Sequence, residues 1–145
     1  MDNTGKKKII EHFLSLYGQG RWGDPQNTEP LNALLDMLTD DVEWWMSGLP
    51  HPGFVSKDEF RSMLAPLNDI TDGPLQIAPT GWIIQGDRVA VEAYSTMKLK
   101  SGLRYQNHYH FLFELRGDKI AVYHEHHDTA HVNDVLVNIT GDAGK

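Results

Sequence analysis

Apolar residues in the first half of the chain recur with the spacing of a helix. A first helix over about 6–17 would collect them on one face, as Ile9, Ile10, Phe13, Leu14 and Tyr17. A second apolar stripe predicts a helix over 29–39, with Pro30 in its first turn. A third helix begins at the capping box Ser56-Lys57-Asp58-Glu59 and runs to about 66, where Pro66 kinks or ends it. A short strand over 42–46 is expected between the second and third helices.

Beyond Leu75 the apolar positions alternate with polar ones, which is the period of a strand. Four long strands are predicted, over 75–85, 88–99, 104–115 and 119–129. The turns between them contain Gly86-Asp87, Ser101-Gly102 and Gly117-Asp118, which suit hairpins. Three helices followed by this meander predict a single α+β domain over 1–145. We expect a cone-shaped, curved antiparallel sheet with the helices on its concave face and a cavity between the two layers.

Charge and composition exclude several classes of function. The formal net charge is −7 and the chain has no cysteine, so neither a nucleic-acid partner nor a thiolate site is expected. No apolar run reaches the length of a membrane helix, and no signal-peptide pattern is seen near the first residues. A cytoplasmic protein without membrane partners is therefore expected.

Histidine is concentrated near the end of the chain. His108 and His110 lie two residues apart on one predicted strand, and His124 and His126 lie two residues apart on the next, close to Asp128. Side chains alternate faces along a strand, so each pair points to one side of the sheet. Groups that titrate near neutral pH, gathered on one surface, are suited to acid–base chemistry or to a metal ion.

Five segments follow one another along the chain: Asp40-Asp41-Val42-Glu43-Trp44, the Gly53 loop into the capped helix, Gly86-Asp87-Arg88-Val89-Ala90-Val91-Glu92, residues 111–120 and residues 123–129. In this order they resemble the nuclear transport factor 2-like superfamily, in particular its SnoaL-like polyketide cyclases and ketosteroid isomerase-like members. The resemblance implies the cone-shaped fold. It does not identify the reaction, because this fold carries enzymes and non-enzymes.

The resemblance also implies roles for single residues. Asp128 falls where the SnoaL-like cyclases place a carboxylate that faces the cavity. The Arg and Asp of the related epoxide hydrolases would fall on Ser95 and Met97, and the isomerase Asp would fall on Trp44, so those two chemistries are not expected. What remains is a cofactor-independent cyclase or isomerase that acts on a small, largely apolar carbonyl compound. Asp128 would be the general base, and His110 or His126 would position it or donate a hydrogen bond.

If Asp128 points inward, strand alternation sets the faces of the other strand residues. The ligand-binding positions expected on this register, together with those from the helical layer, are Tyr17, Trp44, Met46, Phe54, Leu64, Met97, Leu99, His108, Leu112 and His124. Glu125 and His127 would then lie on the outer face. Tyr109, Phe111 and Phe113 would also lie there, which predicts a homodimer through that face.

Alternatives to these roles remain open. Asp128 can instead cap the turn that follows the last strand. The domain can be a non-catalytic module that binds a small apolar ligand. A metal site on the same fold could use His108, His110, His124 or His126, but the spacing of Gly102, His108, His110 and Glu114 matches only half of a cupin metal motif. The leading hypothesis therefore includes neither metal nor cofactor.

Overall fold

The computed structural model describes residues 1–18, 26–48 and 52–137, and it has the α+β architecture that the sequence predicts. A curved, unclosed sheet of six strands carries helices on its concave face. The helices are α1 (Asn3–Tyr17), α2 (Glu29–Asp36), α3 (Lys57–Ile70) and α4 (Thr129–Val132), followed by a π-helical turn (Asn133–Val137). The strands are β1 (Leu38–Met46), β2 (Gly53–Phe54), β3 (Gln76–Gln85), β4 (Arg88–Lys98), β5 (Arg104–Arg116) and β6 (Lys119–His127).

The predicted four-stranded meander is confirmed, since β3, β4, β5 and β6 are consecutive antiparallel neighbours. The sheet order is β2-β1-β6-β5-β4-β3, and β1 lies beside β6 in parallel. Pro79 is tolerated in β3 because β3 is an edge strand, and the register shifts between Pro79 and Gly81. Gly86 and Gly117 have φ angles of 60° and 64° in the two tight hairpin turns, a conformation that glycine adopts without strain.

Two helix ends differ from the sequence prediction. The second helix ends at Asp36 rather than near 39, because the chain from Leu38 onward joins the sheet next to β6. The third helix does not end at Pro66 but continues to Ile70. Pro66 lies on the exposed side of α3, while Leu64 and Leu67 on the other side stay buried. Packing of that stripe outweighs the one helical hydrogen bond that proline removes.

The ends of the helices follow the sequence signals. The capping box at the start of α3 is formed, because Ser56 Oγ accepts the Glu59 N–H at 3.0 Å and Glu59 Oε1 accepts the Ser56 N–H at 3.1 Å. Asp2 caps α1 by accepting the Gly5 N–H at 2.8 Å. Within the described residues, none of the helices has the length and apolarity that a membrane span requires.

The concave face of the sheet is lined with aromatic rings, and α1 crosses it. Phe13 of α1 meets Phe113 and Tyr123 edge-on, at ring-centroid distances of 5.4 and 5.2 Å. Trp44 of β1 stacks on Tyr123 at 5.1 Å and contacts Phe60 of α3 at 4.6 Å. The core therefore lies between the helices and this face, which we call the inner face. The opposite side of the sheet is the outer face.

Candidate functional site

Strand β5 has the opposite orientation to the one expected. Tyr109, Phe111 and Phe113 are buried on the inner face, whereas His108 and His110 are exposed on the outer face. Burying each large aromatic side chain contributes about 1.5–3 kcal/mol, whereas histidines lose little by staying in water. The prediction that His108, His110 and Leu112 face inward is therefore wrong. The stripe Tyr109, Phe111 and Phe113 belongs to the core and offers no surface for a second subunit.

Strand β6 is reversed for the same reason. Phe111 pairs with Glu125 and Tyr109 pairs with His127 across the two strands, and directly paired residues share a face. Glu125 and His127, expected on the outer face, therefore point inward, and His124 and His126 point outward. A register error of one residue moves every side chain of a strand to the other face.

Asp128 does not face the interior. It is exposed and caps α4, because its Oδ1 accepts the His131 N–H at 3.2 Å. The expectation that Asp128 projects into the cavity is wrong, and the alternative capping role is the one observed. Strand β6 ends at His127, so the alternation used to orient Asp128 no longer holds at that residue.

Three of the histidines expected near Asp128 have side-chain partners on the outer face. His124 Nε2 lies 2.8 Å from Glu43 Oε2. The ring of His126 packs against Trp45 at a centroid distance of 4.9 Å. His108 packs against Tyr94 at 5.0 Å. Residues 1–18, 26–48 and 52–137 contain no cluster of three or more histidine or acidic side chains arranged to hold a metal ion.

Most of the predicted apolar ligand-binding positions do lie on the inner side of the molecule. The buried ones are Tyr17, Trp44, Met46, Leu64, Met97 and Leu99. Phe54 is an exception, since its side chain is 70% exposed. Together with Val42 and Lys57, it borders a surface hollow of about 350 Å³. None of the residues that line this hollow is a buried polar residue.

A buried carboxylate lies at the centre of the inner face. Glu125 is 1% exposed. Its Oε1 accepts the Tyr123 hydroxyl at 2.6 Å and the Tyr17 hydroxyl at 3.0 Å, and its Oε2 lies 2.9 Å from His127 Nδ1. Three donors from α1 and β6 thus compensate for the loss of water around the carboxylate.

His127 is held by this carboxylate. Its side chain is 2% exposed, and its backbone N–H donates to Ser47 Oγ at 3.1 Å. Because a carboxylate only accepts hydrogen bonds, Nδ1 carries the proton that points at Glu125. Nε2 is buried and has no hydrogen-bond partner among the described residues. Trp44 Nε1, also on the inner face, is another buried polar atom without a hydrogen-bond partner among the described residues.

Three hydroxyl side chains on the neighbouring strands β4 and β5 form a second polar group next to His127. We call this group, Ser95, Tyr105 and Tyr109, the hydroxyl cluster. The Ser95 and Tyr109 hydroxyls are 2.8 Å apart, and those of Tyr105 and Tyr109 are 3.3 Å apart. Asn107 Nδ2 donates to the Tyr105 hydroxyl oxygen at 2.7 Å. The Tyr109 ring meets the His127 ring edge-on at 6.1 Å. The carboxylate–imidazole pair and the hydroxyl cluster are therefore neighbours.

Burial sets the protonation of the phenols. Desolvation raises the pKa of Tyr105 to about 12, and it raises the pKa of Tyr109, Tyr17 and Tyr123 well above the usual value. The charge of Glu125 raises all four further. These tyrosines thus remain neutral hydroxyl groups at physiological pH.

Sequence reasoning missed Glu125, His127, Tyr105, Asn107 and Tyr109 as members of the site. A signal for them was present. The odd-numbered residues of β5 from Tyr109 to Leu115 carry most of the large apolar area of that strand, which favours their burial. Orienting β5 by this stripe, rather than by Asp128, would have placed Glu125 and His127 inside.

Comparison with known proteins agrees with this architecture. The family model of the SnoaL-like domain matches residues 20–123. A search of curated proteins finds no match.

Several solved structures share the fold at low sequence identity. A nuclear transport factor 2-like protein of unknown function from Burkholderia pseudomallei is 15% identical, with a TM-score of 0.68 over 94% of this chain and 98% of that one. AclR, a putative hydroxylase from Streptomyces galilaeus, is 13% identical, with a TM-score of 0.68 over 97% and 98%. TerC, co-crystallised with polyporic acid, is 21% identical, with a TM-score of 0.63 over 88% and 96%. The match over residues 20–123 and the shared architecture show that this chain belongs to the SnoaL-like domain family, on the nuclear transport factor 2-like fold.

Proposed function

We propose that this protein is an enzyme that moves a proton on a small, largely apolar carbonyl compound, in a cyclase or isomerase reaction. The reaction would use its own side chains as acid and base, without a cofactor. His127 takes the place that the sequence assigned to Asp128. The observation that carries this proposal is the buried imidazole, whose Nδ1 contacts Glu125 and whose Nε2 has no hydrogen-bond partner in the described part of the chain.

The geometry around His127 suits a general base. Glu125 accepts a hydrogen bond from Nδ1–H, so the proton stays on Nδ1 and the lone pair lies on Nε2. The carboxylate is itself fixed by Tyr17 and Tyr123, which limits rotation of the imidazole. A base held in this way removes a proton next to a carbonyl group without first paying for reorientation.

Gly48 keeps a side chain away from Nε2. A Cβ atom at this position would lie 3.4 Å from His127 Nε2 and 3.1 Å from the methyl group of Thr129. At position 48 itself, backbone rather than a side chain therefore lies beside the proposed base. An apolar partner also fits the surroundings, since Trp44, Met46 and Leu64 line the same side of the sheet.

Proteins of the same fold support a small organic molecule as the ligand class. AclR is described as a putative hydroxylase, and TerC has been co-crystallised with polyporic acid. These likenesses support only the class of ligand. The proposed type of reaction rests on the geometry of Glu125 and His127.

Hydrogen exchange of a ketone tests the proposal directly. α-Tetralone in deuterium oxide exchanges its α-hydrogens when a base removes them, and proton NMR follows the loss of signal. We expect the protein to accelerate this exchange, and we expect His127→Gln to slow it by roughly two to four orders of magnitude. His126→Gln is the matched control, because that imidazole lies on the outer face of the same strand.

Two results would contradict the proposal. One is an exchange rate in His127→Gln that equals that of the wild-type protein. The other is an equal loss of rate in His126→Gln. Binding of α-tetralone with no exchange would instead assign the alternative function, a module that binds a small ligand without catalysis.

A further inference from the structure

The orientation of the Asn107 side chain is fixed by its surroundings. Its Oδ1 accepts two backbone N–H groups, from His108 and from Asp128, each at 2.8 Å. The other end of the amide must then be the nitrogen, which donates to the Tyr105 hydroxyl oxygen and to the Asp128 carbonyl oxygen. The Tyr105 oxygen is therefore an acceptor in the hydroxyl cluster.

The hydroxyl cluster contains one more donor than its own contacts use. Ser95, Tyr105 and Tyr109 supply three hydroxyl hydrogens, and two contacts join their oxygens. Each contact uses one hydrogen, whichever oxygen donates. The third hydrogen, on whichever of the three oxygens it resides, has no acceptor among the described residues. All three residues are almost fully buried, so bulk water does not reach this third hydrogen to accept a hydrogen bond from it.

We propose that the hydroxyl cluster binds the neutral carbonyl oxygen of the substrate and that Ser95, Tyr105 and Tyr109 are its positioning residues. This inference rests on the proposed function, because it supplies the oxygen-binding half of a site whose base is His127. A ligand oxygen there accepts the third hydrogen and removes the cost of a buried, unpaired donor.

The oxygen is expected to be neutral rather than anionic. Burial and the Glu125 carboxylate raise the pKa of Tyr105 and Tyr109, so this part of the interior disfavours a ligand that already carries a negative charge when it binds. A ketone oxygen accepts a hydrogen bond without bringing a charge. A carboxylate or phenolate would add a second negative charge near Glu125.

The position of the cluster also fits the proposed base. Tyr109 is the direct cross-strand partner of His127, and the two rings meet at 6.1 Å. Ser95 and Tyr109 lie on neighbouring strands of the same inner face. A ketone whose oxygen contacts the cluster would place its carbon skeleton along this face, beside His127.

A pair of ligands that differ in the carbonyl group tests the inference. α-Tetralone and tetralin have the same ring skeleton, and only the ketone can accept a hydrogen bond. We expect the protein to bind α-tetralone about tenfold more tightly than tetralin, as measured by calorimetry or ligand-observed NMR. The infrared carbonyl band of the bound ketone should move to lower frequency. Binding of 4-nitrophenolate should be weaker than binding of the ketone.

Single substitutions identify the contacting hydroxyl. Among Ser95→Ala, Tyr105→Phe and Tyr109→Phe, the change that removes it should abolish the preference for the ketone. Tyr94→Phe is the matched control, because its phenol lies on the outer face against His108, and it should keep the preference. His127→Gln should also keep it while hydrogen exchange is lost, so failure of the base and failure of the oxygen site remain distinguishable.

Three outcomes would overturn the inference. They are equal affinity for α-tetralone and tetralin, absence of binding of both compounds, and a tenfold preference that survives all three single substitutions. If a variant does not fold, the infrared shift in the wild-type protein still tests whether the bound ketone accepts a hydrogen bond. An unshifted carbonyl band in the bound ketone would reject the hydrogen bond.

Discussion

The side-chain amide of Asn107 forms two hydrogen bonds with the backbone of Asp128, as the backbone of a neighbouring strand would. Its Oδ1 accepts the Asp128 N–H at 2.8 Å, and its Nδ2 donates to the Asp128 carbonyl oxygen at 3.3 Å. The side chain thus satisfies both backbone groups at the point where β6 ends and α4 begins. It also connects this point to Tyr105 of the hydroxyl cluster.

Replacing Asn107 by alanine should therefore loosen the end of β6. The change leaves the N–H groups of His108 and Asp128 without their acceptor, and each buried unpaired group costs about 1–3 kcal/mol. The Asp128 carbonyl oxygen loses one donor and still accepts the Val132 N–H. We expect faster hydrogen–deuterium exchange at the amides of His108 and Asp128 and a lower midpoint of urea unfolding. Gln106→Ala, at the exposed neighbouring position, should leave both unchanged.

Two glutamate–histidine pairs among the described residues should differ sharply in their contribution to stability. The Glu125–His127 pair is buried at 2% exposure of each side chain, whereas Glu43 in the pair with His124 is 54% exposed. Glu125→Leu removes the acceptor that three buried donors share and should destabilise the fold by about 3–5 kcal/mol. Glu43→Leu should cost less than about 1 kcal/mol. Equal losses in urea unfolding would contradict the buried network.

Stability should decline at alkaline pH. Tyrosine in the unfolded chain ionises near its usual pKa of 10.0, whereas burial raises the pKa of Tyr105 to about 12 in the folded protein. Between these values the unfolded state releases protons that the folded state retains, so the free energy of unfolding falls by up to about 1.4 kcal/mol per pH unit for each such tyrosine. The contribution is complete below pH 10.0 and is lost as the pH rises through 12.

Tyr17, Tyr109 and Tyr123 should add to this alkaline loss, because burial also raises their pKa well above the usual value. Ultraviolet absorbance of phenolate should rise together with unfolding measured by circular dichroism. Ionisation of these tyrosines well before unfolding would show that they are not buried as described.

Substitution of Asp128 separates the role that the sequence suggested from the role that the structure shows. Asparagine caps helices as well as aspartate does, so Asp128→Asn should change stability by only a few tenths of a kcal/mol. The carboxylate lies outside the inner face, so ketone hydrogen exchange should also continue at the wild-type rate. Loss of exchange in Asp128→Asn with intact folding would restore Asp128 as the base.

The capping box of α3 offers a test of local sequence signals. Ser56→Ala removes the acceptor for the Glu59 N–H and should destabilise the fold by about 1 kcal/mol. Ser62→Ala, at an exposed position inside the same helix, should be neutral or slightly stabilising because alanine favours helix. Thermal unfolding of both variants measures the difference.

The parts of the fold that the sequence predicted are those governed by neighbouring residues. The helical stripe of α1, the capping box at Ser56 and the hairpin turns at Gly86 and Gly117 all act over a few positions. Their physical causes, hydrogen bonds at a helix end and the φ freedom of glycine, do not depend on distant chain segments. The order of these elements along the chain was enough to predict the α+β class and the four-stranded meander.

The orientation of β5 and β6 was decided by packing across the whole domain. Alternation along β6 showed that Glu125 and His127 share one face, but it could not show which face meets Phe13 of α1. That depends on the aromatic area of β5 and on the helix that covers it. The parallel contact between β1 and β6 likewise joins residues far apart in sequence, and no local signal marks it.

The sequence by itself thus determined the three main helices, the four long strands and their order, because each follows from local spacing, and several of its segments carried the family resemblance. Only the tertiary structure decided that Glu125 and His127, rather than Asp128 and the outer histidines, occupy the interior. The physical reason is that a strand has two faces that are equivalent along the chain. They become different only when the apolar area of Tyr109, Phe111 and Phe113 is buried against α1.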